Sequence, residues 1–142
     1  MSNLNAFLSQ NVLRNENEKH VVSNRFIDEN KNPIQWEIKA IDSREDDLLR
    51  KACIKRVPIP GKKNQFMNDM DFNKYAALLA VKSTVYPNLN DATLQDSYAV
   101  MGAEDLLKAM LLPGEYANYL NIVQQVNGFN QTFEEKVEEA KN

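Results

Sequence analysis

The chain has 142 residues, 43% hydrophobic and 26% charged, which suits one domain whose core needs neither disulfides nor a structural metal. Cys53 is the only cysteine, so an intrachain disulfide is excluded, and no stretch approaches the roughly 20 apolar residues of a membrane helix. The net charge of −3 divides into +2 over residues 1–70 (12 Lys/Arg, 10 Asp/Glu) and −5 over residues 71–142 (5 against 10); the acidic second half argues against nucleic acid as the main partner, since phosphate contacts supply most of the affinity in such complexes.

The opening MSNLNAFLSQNVLRNENE has neither a basic region ahead of a long apolar run nor a cleavage site, so a soluble, unsecreted protein of the cytoplasm is expected, with no membrane partner. Leu4, Phe7 and Leu8 have helical spacing, while Asn11–Lys19 has little to bury; residues 1–19 read as a short docking helix on a mobile arm. In PIQWEIKAI, Ile34, Trp36, Ile38 and Ala40 alternate with polar neighbours, the period of a half-buried strand anchored by Trp36. Val21–Ile27 is a second β-rich run. The turn formers from Asp28 to Pro33 between them predict an antiparallel hairpin.

A helix is expected to start near Ser43 as its cap, with Glu45, Asp46 and Asp47 at the positive end of the dipole and Leu48, Leu49, Ala52 and Cys53 on its apolar side. Pro58, Pro60 and Gly61 interrupt regular structure over IKRVPIPGKKNQFM, leaving at most a short extended pair around a loop. From Asp71, the positions Phe72, Tyr75, Ala76, Leu79 and Tyr86 follow one helical face until Pro87. Asn90 or Asp91 caps the next helix, on which Leu94, Tyr98 and Met101 share a face, and Gly102 marks its exit. Leu106, Leu107, Met110 and Leu111 form the stripe of a further helix. Pro113 and Glu115 suit the first turn of the last one, lined by Tyr116, Tyr119, Leu120 and Val123 and stopped by Gly128. Phe129, Phe133 and Val137 recur every four residues among Glu134, Glu135, Glu138 and Glu139, an amphipathic pattern that forms a stable helix only once something covers it.

The pattern predicts an α+β fold: a small antiparallel hairpin or sheet in the N-terminal half and a predominantly helical C-terminal half. One domain is expected, divided into the arm 1–19, a β-containing part 20–70, a helical part 71–128 and an acidic tail 129–142.

No catalytic, cofactor or metal constellation emerges, and no cofactor is expected. His20 lacks the second His or Cys of a zinc site, and Gly61 in PIPGKKN is a single glycine, short of a phosphate-cradling pattern. Cys53 reads as a small buried hydrophobe, although Lys51, Lys55 and Arg56 are near enough in sequence to lower a thiol pKa. The carboxylate pairs sit where they complete first turns or solvated faces. Arg50, Lys51, Lys55, Arg56, Lys62 and Lys63, with Phe66 as a stacking ring, form the one cluster able to meet nucleic acid; the overall sign favours a solvated loop or an acidic protein instead. Leu94, Tyr98, Met101, Leu106, Leu107, Met110, Leu111, Tyr116, Tyr119, Leu120 and Val123 are candidates for a protein-binding groove, set against the simpler reading that they pack the core.

The strings PIQWEIKAI, SREDDLLRKAC, VYPNLNDATLQDSYAVMGAEDLLKAMLLPGEYANYL and NGF, in that order, resemble the XkdN-like phage tail assembly chaperones of contractile-tailed phages and defective prophages. The resemblance runs from about Val21 to Phe129. Its most specific part is Leu94-Gln95-Asp96-Ser97-Tyr98 followed by Leu106-Leu107 and Gly114-Glu115-Tyr116. Ala99 departs from the glycine the family implies there. The resemblance implies a non-catalytic role: holding the tape measure protein soluble until tail tube subunits polymerise around it, with the tail tube protein as a second contact. It also implies a longer product made by a −1 frameshift, and Ala140-Lys141-Asn142 is encodable by GCA AAA AAC, which contains a slippery heptamer. The alternatives are a structural tail or baseplate component and a small nucleic-acid-binding prophage regulator.

Overall fold

The computed structural model describes residues 3–129. A 3-10 turn over Asn3–Phe7 is followed by β1 (Glu18–His20), β2 (Trp36–Ile38), α1 (Ser43–Ala52), β3 (Ile54–Pro58), β4 (Phe66–Met70), α2 (Phe72–Ser83), β5 (Thr84–Tyr86), α3 (Ala92–Ser97), α4 (Ala103–Met110) and α5 (Pro113–Val126). Small antiparallel sheets lie mainly in the first half and helices dominate the second, the expected α+β arrangement.

The three-stranded sheet has the order β1-β2-β5, antiparallel throughout, with His20 opposite Trp36 and Ile38 opposite Thr84. β2 therefore lies in the middle. Its alternation turns Trp36 and Ile38 into the interior, where both are almost fully buried, while Glu37 between them stays half-exposed. Leu79 and Ala80 of α2, Leu106, Leu107 and Met110 of α4, and Tyr119 and Val123 of α5 close the same cluster. Tyr119 meets Trp36 edge-on at 5.1 Å between ring centroids, the geometry that aromatic quadrupoles favour.

Two expectations about strands need correction. Val21–Ile27 does not form the first strand; Glu18–His20 does. Val22 and Phe26, four residues apart, both pack on the core, and Arg25 is drawn away to the α4–α5 junction, donating to the Met110 carbonyl at 2.8 Å and to Glu115 at 2.7 Å. The run is pinned by side chains rather than paired as a ladder. Only an isolated bridge between Ile27 and Pro33 closes the turn, in which Asp28 accepts from the amides of Asn30 and Asn32. The α2 helix likewise stops at Ser83 instead of reaching Tyr86, and Thr84–Tyr86 becomes the third strand. Thr, Val and Tyr favour the pleated surface, and the residue before Pro87 is excluded from helical dihedrals.

Aspartates start three helices. Asp42, one residue before the expected Ser43, accepts from the Glu45 amide; Asp71 accepts from Lys74 and Asp91 from Leu94, each satisfying a first-turn donor. On α1, Leu48 and Ala52 are exposed, so the expected apolar side reduces to Leu49 and Cys53. On α2, Phe72 is exposed and Ala77, Leu79, Ala80 and Ser83 are the buried positions. β3 and β4 form the short extended pair around Gly61, with Ile54 opposite Met70 and Pro58 opposite Phe66.

Polar side chains then bolt the layers together. Asn127, just past α5, accepts from the Ile41 amide at 2.8 Å and donates to the buried Ser83 hydroxyl at 3.0 Å. Thr84 donates to the Ala80 carbonyl and thus accepts from the Tyr119 hydroxyl. Phe133, Val137 and the acidic run around them lie outside the described residues.

Candidate protein-binding surfaces

The eleven candidate contact residues separate sharply. Leu106, Leu107, Met110, Leu111, Tyr119 and Val123 are buried, because α4 and α5 close on α2 and on Trp36 instead of leaving a groove between them. Leu94, Tyr116 and Leu120 are half-buried against the same cluster. Tyr98 and Met101 alone among the eleven are exposed, Met101 at 90%. The buried six pack the core, which leaves Tyr98 and Met101 as the candidates that face solvent.

The separation has a local cause. Tyr98 and Met101 do not share a helical face with Leu94, since α3 ends at Ser97. The Val100 amide reaches back to the Gln95 carbonyl and the Ala99 amide to the Asp96 carbonyl, the double bond pattern of a Schellman cap. Ala99 is the left-handed residue of that cap, at φ 54°. The bend that glycine would favour is present with alanine, and it throws Met101 into solvent ahead of Gly102.

Other exposed apolar side chains carry weaker sequence signals. Leu112, between α4 and α5, is 55% exposed, so both ends of α4 present an apolar side chain. A shallow cavity of about 110 Å³ lies between the sheet and the helices, lined by Phe26, Ile34 and Tyr86 on one side and Leu94 and Met110 on the other. Tyr86 was expected inside a helix, so this cavity was not foreseeable from periodicity. In the N-terminal segment Phe7, Val12 and Leu13 are exposed, Leu13 at 95%; the docking helix expected there rests on Leu4, Phe7 and Leu8, and Val12 and Leu13 carry no periodic signal.

Electrostatic contacts among the described residues serve the fold. Hydrogen bonds from Arg25, Ser23 and the Leu112 amide hold the Glu115 carboxyl at about 2, far below its ordinary 4.5. Burial pushes the Tyr75 hydroxyl up to about 12, assisted by its hydrogen bond to Asp46, and Arg50 pairs with Asp46 at 2.8 Å while stacking 4.6 Å from the Tyr75 ring. That triad ties α1 to α2. Burial also raises the Cys53 thiol, the opposite of what a thiolate nucleophile requires. His20 bonds to Glu18 at 3.0 Å. The Phe66 ring, a candidate for stacking bases, carries the Arg56 guanidinium 4.7 Å from its centroid. No group of three or more His, Cys, Asp or Glu side chains among the described residues is placed to hold a metal, and no described helix is long and apolar enough to cross a membrane.

Fold and surfaces define a small α+β protein that presents isolated apolar side chains at the ends of α4 and along its N-terminal segment. The family model described as "Phage XkdN-like tail assembly chaperone protein" matches residues 4–141, and the chain belongs to that family. Two relatives from Bacillus subtilis strain 168, the phage-like element PBSX protein XkdN and the uncharacterized protein YqbN, are each 31% identical over 140 residues, covering 98% of this chain and 93% of theirs. The crystal structure of YqbN superposes with a TM-score of 0.76 at 27% identity, over 90% of this chain and 98% of that one.

Proposed function

We propose that the protein is a non-catalytic chaperone that binds the tape measure protein of a phage tail in the host cytoplasm and keeps it soluble until tail tube subunits polymerise around it. A long helical chain with apolar stripes aggregates when its stripes are uncovered. A small acidic protein that lends apolar side chains reversibly covers them, while its charge keeps the complex in solution.

The observation that carries the reading is Met101, 90% exposed between the α3 cap and α4, in a member of a tail assembly chaperone family. Methionine is unbranched and polarizable, so it fits the irregular apolar surface of a helix without demanding one register. Tyr98 and Leu112 flank it in sequence and are also exposed. The test is co-purification of the tape measure protein with tagged chain. Met101→Asp together with Leu112→Asp is expected to lower the recovered tape measure at least about fivefold, equivalent to about 1 kcal/mol of lost contact, with the Trp36 emission of the folded protein unchanged. Equal recovery would remove these residues from the contact.

A further inference from the structure

We propose that the basic face of the β3–β4 hairpin is the docking site for the chain's own acidic C-terminal segment, residues 130–142. The inference goes beyond the chaperone reading and does not depend on it.

The hairpin lacks a covering layer among the described residues: of its ten strand positions only Val57 and Met70 are half-buried, and the rest are exposed. A two-stranded ladder on its own is marginal in water and is stabilised when something packs on a face. Its register puts Ile54, Arg56 and Pro58 on one face with Met70, Asn68 and Phe66 opposite them, so that face is apolar at both ends with a guanidinium in the middle, held over Phe66. Charge divides by face: Lys55, on the other face, lies opposite Asp69, whereas the face that carries Arg56 holds no carboxylate. From Lys51 to Lys63 the chain carries five cations and no carboxylate, and none of the five is in an ion pair among the described residues.

An occupant must therefore be acidic and carry apolar side chains at intervals. Residues 130–142 carry four glutamates against Lys136 and Lys141, with Phe133 and Val137 continuing the spacing from Phe129. Position favours the same segment. The described chain ends at Phe129, whose half-exposed ring lines a cavity of about 180 Å³ together with Arg50 and Tyr75. From Arg50, α1 runs less than one further turn before the chain enters β3 at Ile54. The thirteen residues beyond Phe129 span at most about 45 Å, against about 17 Å for a five-residue strand, so reach is ample. Being tethered, the segment meets the hairpin at an effective concentration of about millimolar, which a free acidic partner of equal intrinsic affinity must exceed.

Amide hydrogen exchange of the full-length chain tests this. Reversing either side, by Arg56→Glu with Lys62→Glu of the connecting loop or by Glu134→Lys with Glu135→Lys, is expected to speed exchange of the β3–β4 amides about tenfold through local opening, and the four substitutions together to bring it back to within about twofold of the parent. Trp36 emission reports that each variant stays folded. Hairpin exchange unaltered by the glutamate reversals, or four substitutions that merely add their effects, would overturn the proposal. Protection that disappears on dilution would also overturn it, in favour of a second copy as the occupant, and protection gained only when tape measure protein is present would overturn it in favour of a partner.

Discussion

Ala99 holds the left-handed position of a Schellman cap, where a Cβ crowds the following carbonyl. The same cap closes α5, where the Phe129 amide returns to the Gln124 carbonyl and the Gly128 amide to Gln125, with glycine at the left-handed position. Ala99→Gly is therefore expected to stabilise the protein by about 1 kcal/mol after the entropy glycine loses on folding is subtracted, seen as a rise in Tm of about 3 °C. No rise would show that the α3 cap relaxes around alanine without strain. Asn127 acts in the opposite direction. Asn127→Ala leaves the Ile41 amide and the buried Ser83 hydroxyl without their present partner, so a loss of about 2 kcal/mol in urea unfolding is expected. Trp36, the single tryptophan and 1% exposed, gives the fluorescence readout for both.

At the scale of elements, the contact between the segment after β1 and the α4–α5 junction is an acid-sensitive one. Glu115 is held at about 2 when folded against 4.5 ordinarily. Its stabilising contribution is complete above about 4.5 and is lost as pH falls through about 2, because only below that does the folded carboxyl bind its proton. Glu115→Gln is expected to be less stable than the parent near neutrality and to converge on it toward pH 2, measured by urea midpoints across that range. A constant gap would place the effect of Glu115 in packing instead of charge. The elements themselves were unevenly legible. β2 announced itself because Trp36 and Ile38 alternate with polar residues, and α4 and α5 because Pro113, Glu115 and Gly128 mark ends that local chemistry dictates. β5 did not, since Tyr86 falls on the helical face begun by Tyr75 and Leu79, and its pairing with β2 is a non-local contact that no window of sequence contains. The failure of Val21–Ile27 as a strand has the same origin: Arg25 is claimed by Met110 and Glu115, far along the chain.

At the scale of the whole molecule, sequence periodicity does not separate inward-facing from outward-facing apolar side chains. An apolar stripe with helical period marks a face that must be covered, but core and partner cover it equally well. Leu106, Leu107, Tyr119 and Val123 turned out to be covered by Trp36 and α2, whereas Met101 sits beyond the end of its helix. The proposed contact surface follows from the caps that stop α3 and begin α4, together with the apolar N-terminal segment, more than from the stripes. The proposed role makes a demand on the cell rather than on any one residue: the tape measure protein is expected to stay in solution only while this chain is bound. The fraction of tape measure protein left in the supernatant after high-speed sedimentation, with and without co-expression of this protein, tests that demand most directly. A mostly soluble tape measure with the chain and a mostly pelleted one without it is expected; the same distribution in both would overturn the proposed role.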